Sequence, residues 1–449
     1  MSTSRHLRAG TGRRLDPRSA RRRFVAVTGL FWLPVGLYIP SQVLLMTERG
    51  MSLAVVAALF AVHSLTVSAM ELPTGGLADV VGRRPVLAAA GLLNLAALTV
   101  LALGTTVWAL AAAMLLMGSG RALSSGPAEA WYVDTVQAHS GPGAELRTGL
   151  ARAGTACAVA LAAGTLVGGG LPLLLGLGPD IGAATGGVVL PLSVPALLGA
   201  AVGAGYVVYV LIALPEPPRP RTTLSAVLRG VPATVLGGLR LGAGDGLIRR
   251  LLLTSGAVGA GLATVELLTP GRAADLTGAP ETGAVLFAAL ACAGFVCTAI
   301  GSHFAPLAAR VTGSGEHAVL ASIGLSAAGL VLLGVTAASD GRVALALAAL
   351  GYSLIYLGLG AAGPNETDLL HHRVDSTVRA TALSVRSLAL QSVGALAGVV
   401  AGALPAGPPA WLLGGAVLCA GALLWARRPA PRPPLAADPL HATEAAAGR

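Results

Sequence analysis

Long apolar runs separated by short polar segments dominate the pattern of hydrophobic and polar residues along the chain. A helix needs roughly 20 apolar residues to cross the hydrocarbon core of a bilayer, which is about 30 Å thick. Only helices and closed barrels satisfy every backbone polar group there, and these runs are too long for barrel strands. The pattern therefore predicts an all-α membrane protein with twelve transmembrane helices. The predicted helices are Phe24–Met46, Leu53–Leu77, Pro85–Gly104, Val107–Ser125, Ala153–Leu175, Leu190–Leu214, Leu251–Thr269, Gly283–Phe304, Ala318–Ala338, Val343–Ala362, Ala380–Leu404 and Pro409–Ala426.

A polar interruption divides these runs into two sets of six. Residues 24–214 form a predicted N-terminal half and residues 251–426 a C-terminal half, joined by a cytoplasmic linker at 215–250 that opens with Pro-Glu-Pro-Pro-Arg-Pro. Residues 1–23 are predicted to be a basic cytoplasmic tail, and residues 427–449, rich in Pro and Ala, a disordered cytoplasmic tail. The first apolar run exceeds the roughly 7–15 residues of a signal-peptide core, so we expect an uncleaved helix.

The composition agrees with a membrane protein. Apolar residues make up 54% of the chain and charged residues only 11%, whereas a soluble domain carries about 25% charged residues. Gly is abundant, and small residues allow helices to approach one another closely in lipid. The four cysteines lie in apolar runs without CxxC spacing. The pair His371 and His372 is predicted on a cytoplasmic loop and has no metal-ligand spacing, so no cofactor or metal is expected.

The charge distribution predicts the orientation. A formal net charge of +10 is compatible with nucleic-acid binding, but the Arg residues stand at the ends of the apolar runs, which indicates a membrane protein without a nucleic-acid partner. With a cytoplasmic amino terminus, only Arg49, Arg272 and Arg342 fall in external loops, and 24 of the 30 basic residues face the cytoplasm. We therefore expect a multi-pass protein of the cell inner membrane with both termini cytoplasmic.

A short motif occurs once in each half. Gly126-Pro-Ala-Glu129 ends the fourth predicted helix and Gly363-Pro-Asn-Glu366 ends the tenth. Two Arg residues follow each motif, Arg147 and Arg152 in the first half, then Arg379 and Arg386 in the second. Six helices return the chain to its starting side, so the halves are predicted to be parallel pseudo-repeats. Transporters commonly hold their substrate between two such repeats.

The segment between the second and third helices resembles the signature loop of the major facilitator superfamily. It reads Gly75-Gly-Leu-Ala-Asp79-Val-Val-Gly82-Arg83-Arg84, and the family pattern is G-x-L-A-D-[RK]-x-G-[RK]-[RK]. The departure is Val80, which stands at a position that is usually basic. A few residues must join two helices here, and Gly82 permits the tight turn.

The resemblance implies charge pairs that latch the cytoplasmic side when the cavity faces outward. By similarity, Asp79 contacts the start of helix eleven and Arg379 or Arg386, while Arg83 pairs with Asp134. Glu129 and Glu366 end their helices near the cytoplasm and are interpreted as gate or latch residues. The corresponding loop of the second half, residues 301–313, is degraded.

Three further segments resemble the drug and metabolite exporter branch of this superfamily. They are Glu71-Leu-Pro-Thr-Gly75, Ser125-Gly-Pro-Ala-Glu-Ala-Trp131 and Arg379-Ala-Thr-Ala-Leu-Ser384. The antiporter signature expected in helix five is incomplete, because Gly169 stands where the family has Pro. An uptake symporter on the same scaffold therefore remains an alternative to export.

Ionisable residues within the apolar runs are the candidates for coupling or binding, since each costs about 2.5–3.5 kcal/mol on insertion scales. Glu71 is a candidate proton carrier or ligand for a cation, or else a structural partner of Arg121 or Arg152. By resemblance to the superfamily, which carries an arginine linked to proton handling in this region, Arg121 is a candidate for that role, and Glu266, near the predicted external end of helix seven, is either functional or interfacial. The remaining candidates are His63, which is a proton relay or a packing residue, and Tyr38 and Gln42, which are predicted to line a cavity.

Several function classes are excluded by missing motifs. The sequence contains no GxxxxGK[ST] phosphate loop, no GxSxG nucleophile elbow and no HExxH zinc motif, so neither ATP hydrolysis nor another enzymatic activity is expected. Transport must then be driven by a gradient. The sequence predicts a secondary active transporter, proton-coupled and exporting a drug-like or metabolite molecule, with a small molecule, protons and the lipid bilayer as partners and a monomer as its state. A non-transporting membrane receptor is a further alternative.

Overall fold

The computed structural model describes residues 15–75, 77–141, 143–178, 180–216, 236, 240, 242–374 and 376–426. Of residues 72, 75, 79 and 376–381 it describes the backbone alone. Most of the predicted linker and nearly all of the two predicted tails lie outside these residues.

The described residues fold into helices and contain no strand. Among the described residues, eleven spans are long and apolar enough to cross a membrane, and a shorter apolar helix of 16 residues, Pro408–Leu423, follows them. This confirms the predicted all-α membrane fold with twelve helices. The helices are α1 Pro17–Glu48, α2 Leu53–Gly75, α3 Leu77–Val81, α4 Arg83–Leu103, α5 Val107–Ser124, α6 Pro127–Ser140, α7 Arg147–Leu174, α8 Asp180–Ala184, α9 Val194–Ala213, α10 Gly246–Thr277, α11 Pro280–Thr312, α12 Gly315–Thr336, α13 Arg342–Arg373, α14 Ser376–Ala403 and α15 Pro408–Leu423.

Polar residues at the helix ends explain where several helices begin. Asp16 accepts a 2.8 Å hydrogen bond from the backbone N–H of Ser19 and caps α1, and Pro17 occupies the first turn, where it costs no hydrogen bond. Asp245 caps α10 in the same way, with bonds from the N–H groups of Leu247 and Ile248. The predicted linker therefore ends earlier than residue 250, since α10 already begins at Gly246.

The two halves repeat the same packing. In the first half α1 packs on α7 and α9, α2 on α5, and α4 on α5 and α9. The second half repeats each contact, with α10 packing on α14 and α15, α11 on α13, and α12 on α13 and α15. The halves meet along α2 with α14 and along α7 with α11.

The repeated Gly-Pro motif takes a different conformation in each half. At Gly126 the backbone turns with φ +93°, so that α5 ends and α6 begins, whereas α13 continues through Gly363 and Pro364 without a break. A proline removes the donor to the carbonyl four residues earlier. In the second half the carbonyl of Gly360 is satisfied instead by the Ser302 hydroxyl at 3.0 Å. The prediction that each motif ends its helix therefore agrees with the break between α5 and α6 at Gly126 and is wrong for Gly363, where α13 continues to Arg373.

The helices also extend beyond the apolar runs. Arg272 and Arg342 were predicted in external loops, but Arg272 lies inside α10 and Arg342 is the first residue of α13. The pair His371 and His372, predicted in a loop, forms part of the last turn of α13. A spanning helix can continue through polar residues where it reaches the membrane surface, because its backbone hydrogen bonds continue there. Hydropathy alone therefore underestimates helix length.

Candidate functional site

A central cavity lies between the two halves. Its larger lobe has a volume of about 230 Å³ and its smaller lobe about 150 Å³, and Tyr38, His63 and Met117 line both. The larger lobe is also lined by Ile39, Gln42, Val43, Phe60, Ser64, Met114, Glu266, Phe287, Ala291, Phe295, Tyr352 and Tyr356. The smaller lobe is also lined by Phe31, Trp32, Pro34, Val35, Asn94, Leu98, Arg121 and Gln391.

Small residues bring the two halves together on the side of the molecule away from the signature loop. A Cβ added to Gly402 on α14 would lie 2.6 Å from the Cβ of Ala57 on α2. A Cβ added to Gly169 on α7 would lie 2.7 Å from the carbonyl oxygen of Ala284 on α11. Apolar side chains of both halves share one core here, including Val43, Met46, Ala57, Leu267 and Ala401. These contacts close the cavity on that side.

Glu266 projects from α10 into the larger lobe. Its side chain is exposed although Val265 and Leu267 on either side are buried, because the cavity gives it access. Among the described residues no hydrogen bond or ion pair to its carboxylate is found. The hydroxyls of Tyr38, Tyr352 and Tyr356 lie close enough to interact electrostatically with it.

The prediction placed Glu266 near the end of its helix, and the structure places it deeper. The predicted helix Leu251–Thr269 ends three residues after Glu266, but α10 continues to Thr277. The additional turns move the carboxylate away from the helix end and into the space between the halves.

Aromatic side chains concentrate around this cavity. The whole chain has 17 aromatic residues, and eight of them line the two lobes. The ring centroids of Tyr352 and Tyr356 lie 4.8 Å apart. A chain that is otherwise poor in aromatic residues therefore presents an aromatic surface to whatever occupies the cavity.

Arg121 lines the smaller lobe, beside an aromatic ring and near a carboxylate. The guanidinium carbon lies 5.0 Å from the centroid of the Trp32 ring, within cation–π distance. Glu71 is its main electrostatic partner, with Cys157 and Tyr38 contributing less. Glu71 itself does not line either lobe. It lies where the halves meet, and its Oε2 accepts a 2.8 Å hydrogen bond from the Ser387 hydroxyl on α14.

The other predicted cavity residues also line the larger lobe. Tyr38 and Gln42 from α1 and His63 from α2 face it, and the Gln42 amide nitrogen lies 3.5 Å from the sulfur of Met114.

The signature loop contacts the chain on two sides. Arg83 is paired with Asp134 and donates to the carbonyl of Ala130 at 2.5 Å. The carboxylate of Glu216, three residues after the end of α9 at Ala213, accepts hydrogen bonds from the backbone N–H groups of Arg83 at 3.0 Å and Arg84 at 3.1 Å. An acidic group at a helix N-terminus satisfies free donors and complements the helix dipole. The pair Arg83–Asp134 was implied by the family resemblance and is present.

A sequence profile described as the Major Facilitator Superfamily matches residues 24–399. The chain belongs to this superfamily. Comparison with curated proteins finds no match.

Solved structures of several transporters share the fold. The nucleoside transporter NupG is similar with a TM-score of 0.69 and 14% identity, over 91% of this chain and 97% of that chain. A bacterial homologue of the iron transporter ferroportin, in its inward-facing state, is similar with a TM-score of 0.68 and 14% identity, over 91% of this chain and 98% of that chain. A peptide transporter, POT, is similar with a TM-score of 0.62 and 16% identity, over 92% of this chain and 98% of that chain. The protein is thus a multi-pass membrane protein of a non-enzymatic transporter family whose members carry small molecules.

The predicted latch residues of the superfamily are only partly described. Glu366 is buried and paired with Arg386, whose Nε donates to the Ser255 hydroxyl at 2.9 Å. Glu129, the matching residue of the first half, is exposed. The side chains of Asp79 and Arg379, and the surroundings of Gly75, lie outside the described residues, so the predicted contact of Asp79 with helix eleven stays a prediction. Gly82 has φ +115°, which explains the glycine of the signature.

A second ion pair lies on the signature-loop side of the C-terminal half. Asp245 is buried, and its second carboxylate oxygen accepts from Arg373 Nε at 2.8 Å, which joins the start of α10 to the end of α13. Burial disfavours the charged form of this carboxyl. The Arg373 guanidinium and the N–H groups of Ile248 and Leu247 outweigh burial, so the pKa of Asp245 lies below its ordinary value.

Several polar residues of the cavity were not predicted from the sequence. Asn94 and Gln391 each interrupt an apolar run, and Tyr352 and Tyr356 stand four residues apart on α13. They could have been found as residues with an amide or hydroxyl group inside a spanning helix. The four-residue spacing of the two tyrosines also places both on one face of α13.

Proposed function

We propose that this superfamily member is a proton-coupled secondary active transporter that exports a drug-like or metabolite molecule by alternating access. The observation that carries the proposal is the cavity between the pseudo-symmetric halves, with the Glu266 carboxylate facing it. A site enclosed between two such repeats becomes accessible from either side when the halves rock. The apolar contacts on the side away from the signature loop keep that side closed in the present conformation.

Proton coupling is proposed to depend on carboxylates in this region. Glu71 lies at the contact of the halves beside Arg121, so a change in its protonation alters the charge at the interface that must open and close. Glu266 faces the cavity and is the second proposed carrier. His63 lines both lobes and is proposed as an accessory relay or as a packing residue.

The lining supports export of an apolar or aromatic compound more than uptake of a polar nutrient. Eight aromatic residues face the two lobes, together with Met114 and Met117, and such surfaces bind drug-like molecules through apolar contact. Uptake is the second candidate, supported by the shared fold with a nucleoside transporter and a peptide transporter. We further propose that the transporter works as a monomer in the cell inner membrane with cytoplasmic termini.

Proton flux in everted membrane vesicles tests the proposal. Respiration acidifies the vesicle interior, and a pH-sensitive dye reports the gradient while a panel of cationic, neutral and anionic aromatic compounds is added. Proton-coupled export predicts that substrates collapse part of the gradient, because protons leave the vesicle as substrate enters. Vesicles carrying an Asp79→Asn variant serve as the control and should retain the gradient.

The alternative makes the opposite prediction. If no aromatic compound alters the gradient, while a nucleoside or dipeptide acidifies right-side-out vesicles as it enters, the protein is an uptake symporter. Compound movement that is independent of the proton gradient would contradict proton coupling in either direction.

A further inference from the structure

We infer that the larger lobe is a subsite for an organic cation with an aromatic or apolar body, and that Glu266 is its counter-ion. This inference rests on the proposed function, since it names the substrate class of the transport cavity. It predicts that the transporter selects positively charged compounds and that Glu266 is responsible for this charge preference.

The isolation of Glu266 is the first argument. A carboxylate enclosed by apolar and aromatic side chains is costly unless a cation or a proton compensates its charge. Among the described residues none donates a hydrogen bond to it or forms an ion pair with it, although it is exposed to the cavity. The group is therefore available to a ligand that enters the lobe.

The aromatic surroundings are the second argument. Tyr38, Phe60, Phe287, Tyr352 and Tyr356 line the same lobe as Glu266. The faces of aromatic rings attract cations, and aromatic enclosures of this type suit ammonium-like ligands without strong hydration. A carboxylate and several rings in one lobe favour positive charge, and an anion would meet repulsion from both.

The position of Arg121 argues against a zwitterionic ligand. A zwitterion would need a free cationic group for its own carboxylate, and Arg121 is the basic side chain that lines the smaller lobe. Its guanidinium lies 5.0 Å from the centroid of the Trp32 ring, and Glu71 is the acidic group that favours its charge most, so an aromatic ring and a carboxylate of the protein already accompany it. Glu266 has no comparable basic partner among the described residues.

Other titratable groups face the same cavity and must be considered in any dependence on pH. Tyr38 comes from α1, His63 from α2, Tyr352 and Tyr356 from α13, and Arg121 from α5. The lining residues contributed by α11 and α14 are not titratable, although Cys292 of α11 lies near Tyr352. His63 is thus the other lining group whose ordinary pKa lies near neutral, and its protonation would oppose cation binding in the same direction as protonation of Glu266.

Direct binding of tetraphenylphosphonium to the purified full-length protein tests the inference without requiring transport. This cation cannot lose a proton, so any effect of pH comes from the protein. Tetraphenylborate has nearly the same size and shape with the opposite charge. We expect tetraphenylphosphonium to bind more tightly as the pH rises and the carboxyl group ionises, and tetraphenylborate to compete weakly or not at all.

Matched variants assign the effect to one residue. Glu266→Gln should weaken tetraphenylphosphonium binding by about tenfold or more and remove most of the dependence on pH. Glu281→Gln, the same change at the first turn of α11 and outside the cavity, should leave both unchanged. His63→Gln should keep the pH dependence that Glu266 produces.

Three results would overturn the inference. They are wild-type affinity for the cation in Glu266→Gln, tighter binding of tetraphenylborate than of tetraphenylphosphonium, and a pH dependence that disappears in His63→Gln but not in Glu266→Gln. Failure of the proposed function would look different, because the cation would then bind with the expected charge preference while no compound moved protons in vesicles. Transport of neutral or anionic compounds without cation binding would contradict the subsite alone.

Discussion

The Ser387 hydroxyl on α14 donates a 2.8 Å hydrogen bond to the Glu71 carboxylate on α2, and so joins the two halves of the transporter. The same carboxylate is the main electrostatic partner of Arg121. Glu71 therefore connects the charge beside the cavity to the contact that separates when the halves rock.

Replacement of Glu71 should uncouple transport from the proton gradient. Glu71→Gln removes the charge but keeps an oxygen that can accept from Ser387, so we expect loss of gradient-driven transport with substrate binding or downhill exchange retained. Ser387→Ala is the matched control, since it removes the hydrogen bond and keeps the charge, and it should preserve the pH dependence. Arg121→Ala should shift the pH profile. Uphill transport by Glu71→Gln with wild-type pH dependence would make Glu266 the next candidate, followed by Glu129.

The pair Arg83–Asp134 can be tested by exchanging its charges. Arg83→Ala should abolish most transport while expression stays near normal, because the loop loses its contact with α6. The double variant Arg83→Asp with Asp134→Arg should recover part of the activity if the two groups act as a direct pair. Normal transport by Arg83→Ala in flux assays would show that this contact is dispensable.

Asp245 should contribute measurably to stability. Asp245→Asn keeps an acceptor for the cap of α10 but leaves Arg373 without its partner, and we expect a loss of about 2 kcal/mol in the free energy of unfolding. Because the pKa of Asp245 is lowered in the folded protein, its contribution is fully present above the ordinary carboxyl pKa and disappears as the pH falls through the folded value. Thermal unfolding in detergent should therefore show the difference at neutral pH and lose it only below about pH 4.

The control for Asp245 is an exposed pair on the other side. Asp340 lies 3.4 Å from Arg272, but its side chain is 86% exposed. Exposed pairs of this type contribute little to stability. Asp340→Asn should leave the unfolding temperature nearly unchanged, and an equal loss in both variants would contradict the role assigned to burial.

The closed side of the cavity should open when its small residues are enlarged. Gly402→Ala places a methyl group 2.6 Å from the Cβ of Ala57, so α2 and α14 must separate there. Gly398→Ala, one turn away, meets its nearest neighbour at an ordinary 3.6 Å and is the matched control. In a background without the native cysteines, Ser64→Cys in the cavity should react faster with an impermeant reagent applied from the side away from the signature loop in Gly402→Ala. Equal rates in both variants would contradict the proposed seal.

The orientation in the membrane rests on the arginine distribution and stays a prediction. Cysteines at Ser140 and Ser225 should be protected from an external impermeant reagent in intact cells, while a cysteine at Thr105 should be labelled. External labelling at either of the first two positions would reverse the proposed topology.

The sequence predicted the helical architecture well because each spanning helix carries its own hydropathy signal. It could not predict how far helices extend, and this affected the interpretation of Glu266, whose depth depends on where α10 ends. Tyr352 and Tyr356 were missed for a related reason. Their hydroxyl groups indicate a site only because the fold places α13 and α10 around one lobe, so that both tyrosines lie near Glu266. The linear sequence does not contain this proximity.

The Gly-Pro motif shows a second limit of the sequence pattern. The two copies differ by one residue, Ala128 against Asn365, and in the second half the Asn365 amide donates to the carbonyls of Ala361 at 2.9 Å and Ala305 at 3.2 Å. These bonds come partly from a neighbouring helix. Local similarity thus predicted the same helix end twice, while tertiary hydrogen bonds preserved one helix and not the other.

The different conformations of these motifs make the two halves mechanically unequal. The first half has a joint at Gly126, where α6 can change its angle to α5 with little loss of backbone hydrogen bonding. In the second half α13 is a single rod of 32 residues, so movement at its loop-side end is transmitted directly to Tyr352 and Tyr356 in the cavity. The first half can therefore bend at Gly126, whereas in the second half α13 moves as one unit and carries Tyr352 and Tyr356, two of the aromatic residues that line the cavity.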